Sequence, residues 1–196
     1  MPGYLLSDLA AHIKKAGENP DVHVIVLSSG GDRTFCAGAS FDELITITNS
    51  EDGKKFFLGF AHVINAMRKC PKIIICRVHG KAIGGGVGIA AAADYCMATN
   101  YGTIKLSELA LGIGPFVIGP AVERKIGLSA FSQLALNATE WQTAIWAKEK
   151  GLYHEVFDSI EQLDAYVDEL SQRLAATSSS ALLALKQALW HDTQHW

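Results

Sequence analysis

The sequence predicts an α/β fold with a helical C-terminal part, and three observations predict it. Two β-branched apolar runs, Val22–Ser28 (VHVIVLS) and Lys72–Val78 (KIIICRV), read as strands covered on both faces. Each is followed by a glycine-rich loop and then by a helical pattern. Beyond about residue 120 the patterns are helical. Strand–helix units followed by helices imply an α/β core over residues 1–125 and a helical segment over 126–196.

Leu5, Leu6, Leu9 and Ile13 recur at helical spacing, so residues 4–17 read as an amphipathic helix that Asn19-Pro20 ends. After the first strand the chain loops through Gly30, Gly31 and FCAGA, and Ser40 with Glu43 makes a capping box for a short helix. Phe56, Phe57, Phe60, Ile64 and Met67 mark a longer helix at about 51–69, broken by Pro71. After the second strand, Gly84–Gly86 lead into VGIAAAA, a small-residue helix suited to close packing on a sheet. Tyr95–Ala98 and Thr103–Lys105 read as short strands, with Glu108 just beyond them. Thr139/Gln142 and Ser159/Gln162 are capping-box signals for two helices. A last helix carries Leu182, Leu183, Leu185 and Leu189. A sheet preceded only by an amphipathic helix is an abrupt beginning; either that helix packs on later strands, or an N-terminal strand pair is missing before Met1.

Composition excludes several function classes. The chain has 196 residues, 49% of them hydrophobic, enough to bury a core in one domain. A formal net charge of −3, without basic clusters interleaved with aromatics, predicts no nucleic-acid partner and no anionic membrane. Cys36, Cys70, Cys76 and Cys96 form no CxxC pair and have no histidine at metal-ligand spacing. They read as small buried hydrophobes in a reducing compartment, with no bound metal. There is no signal-peptide pattern and no run of membrane-spanning length, so a soluble cytoplasmic protein is expected.

The chemistry concentrates in two glycine-rich loops and one acid. The loops are FCAGAS at Phe35–Ser40 and GKAIGGGVG at Gly80–Gly88, and the acid is Glu108 in KLSELALGIG. The string GVGIAA at Gly86–Ala91 satisfies GxGxxA, a weak dinucleotide-binding signal, and Glu108 lies at roughly the spacing of a ribose-binding acid. Against that reading, the loop follows two earlier helices rather than the first βα turn. A simpler reading has the glycines serve close helix–sheet packing alone. The third reading uses both loops. When a thioester loses its α-proton, charge moves to the carbonyl oxygen, and two fixed N–H donors stabilise the enolate; losing one such donor costs about 3 kcal/mol of barrier. One donor would come from FCAGA and one from the GGG turn at a helix N-terminus, where glycine admits the thioester to the backbone.

With these motifs the chain resembles the crotonase family, the enoyl-CoA hydratase/isomerase superfamily. The resemblance is carried by VIVLSSGGDRTFCAGASFDEL, VHGKAIGGGVGIAAAADYCMAT, SELALGIGP and WAKEKGLYHEVF, in that order and at family-like spacing. It implies a spiral of ββα turns, C-terminal helices that form a homotrimer or a dimer of trimers, and an acyl-CoA substrate with no separate cofactor. It implies that Ala39 and Gly85 give the two oxyanion N–H groups and that Glu108 is the acid/base. It also implies that Ala37, Gly38, Ser40, Phe41 and Gly84 line the substrate path, and that Lys186 stands near the CoA phosphates. Three departures bear on the reaction. Gly88 stands where family hydratases carry a second glutamate. AGAS replaces AGAD at Ser40, which keeps a capping role. Phe116 replaces the aspartate of dienoyl-CoA isomerases, which disfavours that activity.

One glutamate suffices for moving a double bond from 3-enoyl to 2-enoyl thioester, because it takes a proton from C2 and returns it at C4. Hydration is served more comfortably by two carboxylates. Leu106, Leu109 and Leu111 around Glu108 are expected to limit its solvation and raise its pKa. The expected activity is therefore isomerase-like, with a Glu108-dependent hydratase as the alternative and a non-catalytic acyl-CoA-binding relative as a further one. Asp94 and Glu123 are the candidates for a replacement acid. Asp94 reads better as a loop tether, and Glu123 as part of a solvated helix face.

Overall fold

Strand, strand, helix is the unit that these residues build three times in succession. A computed structural model describes residues 1–196. Helix α1 (Gly3–Glu18) leads to β1 (Val24–Leu27), β2 (Thr34–Cys36), the short α2 (Phe41–Leu44) and the long α3 (Ser50–Lys69). The second unit is β3 (Ile73–Val78), β4 (Lys81–Ile83) and α4 (Gly85–Ala92). The third is β5 (Tyr95–Thr99), β6 (Ile104–Lys105) and α5 (Gly119–Leu136). Then come α6 (Ala144–Glu149), β7 (Glu155–Phe157), α7 (Ile160–Ala175) and α8 (Ser179–Leu189). The first strand of each unit enters one parallel sheet, ordered β1-β3-β5-β7; the second enters another, ordered β2-β4-β6. This is the ββα spiral that the resemblance implies.

Strand β3 is apolar throughout because its two faces meet two different cores. Ile74, Cys76 and Val78 face the main core beside α4, whereas Ile73 and Ile75 join Met97, Leu163, Val167 and Leu182 beneath α7 and α8. Strand β1 was expected to be covered in the same way, but it lies at the sheet edge and leaves Val26 42% exposed. Helix α1 packs along α3 rather than on a sheet face, with Leu6 against Gly59. That contact accounts for an amphipathic helix preceding the first strand.

Three local expectations change. Ser40 caps α2 by accepting from the Glu43 N–H at 3.4 Å, but the Glu43 carboxylate accepts from the Gly3 N–H instead and so caps α1. Thr139 and Gln142 do not open a helix: Gln142 bridges to Ile104, and α6 begins at Ala144 with Thr143 as its cap. Strand β7 lies within the segment read as helical and pairs with β5 at the opposite edge of the larger sheet. Ser159 and Ser178 cap α7 and α8, each by accepting a backbone N–H. No helix is long and apolar enough to cross a membrane.

Candidate active site

Both glycine-rich loops follow strands of the smaller sheet, so the parallel pairing of β2 with β4 brings them together. Gly38 adopts φ +82°, and a side chain there would stand 3.1 Å from the Ile83 carbonyl and 3.7 Å from the Gly85 nitrogen. Gly84 adopts φ +52° and caps α4, whose N-terminal dipole points into the same space. The N–H groups of Ala39 and Gly85 donate to no other group of the chain. Gly85 is buried, and a buried backbone donor is rarely left unpaired, so its N–H points to a ligand acceptor; Ala39 is exposed, and its N–H borders the same cavity.

That cavity, about 240 Å³, is lined by Ala37, Gly38, Ala39, Ser40, Phe41, Gly84, Gly85 and Glu108. Eight of the nine site residues expected from sequence therefore converge. Glu108 arrives from β6 through buried Leu106 and opens a 3₁₀ turn at Leu109–Leu111. Its carboxylate lies against Gly84: a Cβ on Gly84 would sit 2.8 Å from Oε1. Its Oε2 is buried without a hydrogen-bond partner. Burial raises its pKa above the ordinary value, and backbone N–H groups of Glu108 and Ser107 pull it partly back. The leucines contribute unequally to this burial. Leu106 is buried, whereas Leu109 and Leu111 are 47% and 54% exposed, Leu111 at the edge of the cavity.

Lys186 is the ninth residue, and the structure moves it elsewhere. Its side chain is 3% exposed and its ammonium donates to Asp94 Oδ2 and to the Lys72 carbonyl, both at 2.8 Å. It is absent from the cavity lining and has no free charge to offer a phosphate. Asp94 is indeed a tether, not a second acid, and Glu123 is an exposed helix residue.

The Gly88 position is filled from outside. A Cβ there would lie 2.6 Å from Ile118 Cγ2 and 3.5 Å from Ile64 Cδ1. Ile118 occupies the volume that a second acidic side chain would need. Sequence reading placed Phe56, Phe57 and Phe60 on a helix without assigning them to the site, yet all three line the cavity, with Leu44, Ile113 and Val117. Their signal was the Phe-rich inner face of α3, which spacing alone cannot separate from ordinary core.

A family model described as enoyl-CoA hydratase/isomerase matches residues 3–195. The chain belongs to that family. It is 30% identical over 187 residues to a peroxisomal Delta(3,5)-Delta(2,4)-dienoyl-CoA isomerase of Arabidopsis thaliana, covering 88% of this chain and 66% of that one. It is also 30% identical over 179 residues to an enoyl-CoA hydratase of Alternaria alternata, covering 90% and 58%. The chain thus spans less than two thirds of either relative's length. A crystal structure of an enoyl-CoA hydratase from Mycobacterium smegmatis superposes with a TM-score of 0.92 at 25% identity, covering 99% of this chain and 74% of that one. The crotonase fold is therefore common to this chain and its solved relatives.

Gly84 offers a test of how closely this site is built. Gly84→Ala places a methyl group against Glu108 in a backbone conformation that costs an L-residue about 1–3 kcal/mol. The melting temperature is expected to fall. If the thioester chemistry below holds, kcat is expected to fall about 10²-fold through displacement of the carboxylate. Thermal melts and steady-state kinetics on the purified variant measure both.

Proposed function

We propose that this family member isomerises 3-enoyl-CoA to 2-enoyl-CoA thioesters with Glu108 as the single proton carrier. The observation that carries the proposal is the lone, poorly solvated carboxylate of Glu108 facing a cavity whose second acid position is closed by Ile118. The thioester oxygen accepts from the Ala39 and Gly85 N–H groups, which polarises the C2–H bond. Glu108 takes the C2 proton, and the electron pair spreads over C2–C4 and the oxygen as a dienolate. The same proton then returns at C4, the C3–C4 double bond becomes C2–C3, and Glu108 is again ionised. No water takes part, which agrees with a cavity walled by Phe60, Ile113, Val117 and Ile118.

A hydratase reading rests on a different observation, since the Alternaria relative is named as one. It would need Glu108 alone to orient the water and deliver the C2 proton. Purified protein is to be given 3-enoyl-CoA and 2-enoyl-CoA separately. Isomerisation outpacing hydration supports the proposal. Hydration at an equal or greater rate favours the alternative, and binding without turnover marks a non-catalytic relative.

Assembly through the C-terminal part belongs to the same proposal, as a homotrimer or dimer of trimers. Leu128, Leu136 and Leu185 are 66%, 69% and 53% exposed there, which supports a covered apolar face in the assembled protein.

A further inference from the structure

Two cavities of this chain share one lining residue, Val117. The first is the 240 Å³ cavity around Glu108. The second, about 850 Å³, lies between α3, α5 and the C-terminus, where Asn65, Arg124, Leu189, His191 and Trp196 line it. Val117 lines both. Beside it, Ile118 faces the first cavity and packs over Gly88, and Ile64 faces the second. The remaining apolar wall is less free to yield. Phe60 is 5% exposed and packs against Gly85, where a Cβ would meet its ring at 2.2 Å.

We infer that Val117 sets the acyl-chain length and that the substrates are short-chain acyl thioesters. This rests on the thioester reading above and narrows it. Pockets that enclose a drug-sized ligand run from about 300 to 1,000 Å³, so 240 Å³ is small. The thioester group itself must occupy the part beside Ala39 and Gly85. What is left ends at Val117 and Ile118. Both are β-branched and stiff at χ1, so neither swings aside readily for a growing tail. Methylenes beyond the wall have no apolar volume to enter, and a mismatch of one methylene in an apolar pocket changes specificity about 10–200-fold. Behind Val117 the space reopens. Shortening this one side chain therefore connects the first cavity to a much larger one.

The test compares butenoyl-, hexenoyl-, octenoyl-, decenoyl- and dodecenoyl-CoA as substrates. In parallel, calorimetry measures binding of the saturated acyl-CoA series, which needs no chemistry. The wild-type chain is expected to lose at least about tenfold in kcat/KM or affinity between the six- and ten-carbon thioesters. Val117→Ala should raise the decenoyl-to-hexenoyl ratio about tenfold, and Val117→Leu should lower it. Using both variants guards against a trivial folding defect, because opposite shifts cannot come from misfolding. A flat or rising wild-type profile, or equal ratios in all three proteins, overturns the inference. Graded binding without turnover overturns the proposed reaction and leaves the length limit standing. Failure to bind any member of the series overturns both.

Discussion

Glu108→Gln is expected to lower isomerase turnover by about 10²–10⁴-fold, with a much smaller change in KM. Glutamine keeps the size and one hydrogen-bonding oxygen but can neither take nor return a proton. The Ala39 and Gly85 donors remain, so the thioester should still bind. The pH dependence gives a second readout. Burial raises the Glu108 pKa above its ordinary value, and the base must be ionised to act. Activity should therefore fall as pH drops through that raised value, at higher pH than for an exposed carboxylate. The residual activity of the variant should lack this limb. Stability should move the other way. A carboxyl whose folded pKa is raised adds stability that is complete below its unfolded value and lost as pH rises through the folded one. At neutral pH, ionised Glu108 is thus a local cost that glutamine removes. The variant should melt higher than wild type near pH 7, with the gap closing toward about pH 4.5. A variant that is less active and also less stable at neutral pH would indicate a structural role instead.

The same local rule explains what was and was not legible in the sequence. Helices α1 and α3 announce themselves because their apolar residues repeat with the period of the backbone, and strands β3 and β5 because they are short, nearly continuous apolar runs buried on both faces. The loops FCAGA and GGG were legible because glycine marks where a side chain cannot stand. Strands β2, β4 and β7 span three residues each, too few for a period to appear, and are held by their neighbours' ladders. Val26 looked like core because composition does not report which strand ends a sheet. The aromatic wall of the cavity was hidden for a related reason. Phe56, Phe57 and Phe60 carry the same apolar signal whether they face protein or empty volume.

Lys186 is the sharpest case, and it leads to the largest stability effect expected for this chain. The resemblance implies a phosphate-binding lysine, whereas the structure places a buried ion pair at 2.8 Å with both side chains 3% exposed. Asp94 sits at the turn between α4 and β5. Its carboxylate accepts from the Ile74 N–H, the Lys186 ammonium and the Trp190 indole N–H, each at 2.8 Å. These bonds tie α8 and the residue that follows it to the start of β3. Lys186→Met leaves Asp94 charged and buried with two neutral donors, so it should cost about 3–5 kcal/mol. For a chain of this size that corresponds to a fall of roughly 6–20 °C in melting temperature. Asp94→Asn should cost a similar amount by stranding the ammonium. The double variant should cost less than the sum, because neither charge is then left alone in the interior. The two roles separate cleanly in kinetics. If Lys186 only holds α8, the KM for acyl-CoA measured well below the melting transition should match wild type. A rise in KM without a fall in melting temperature would return the residue to the CoA phosphates.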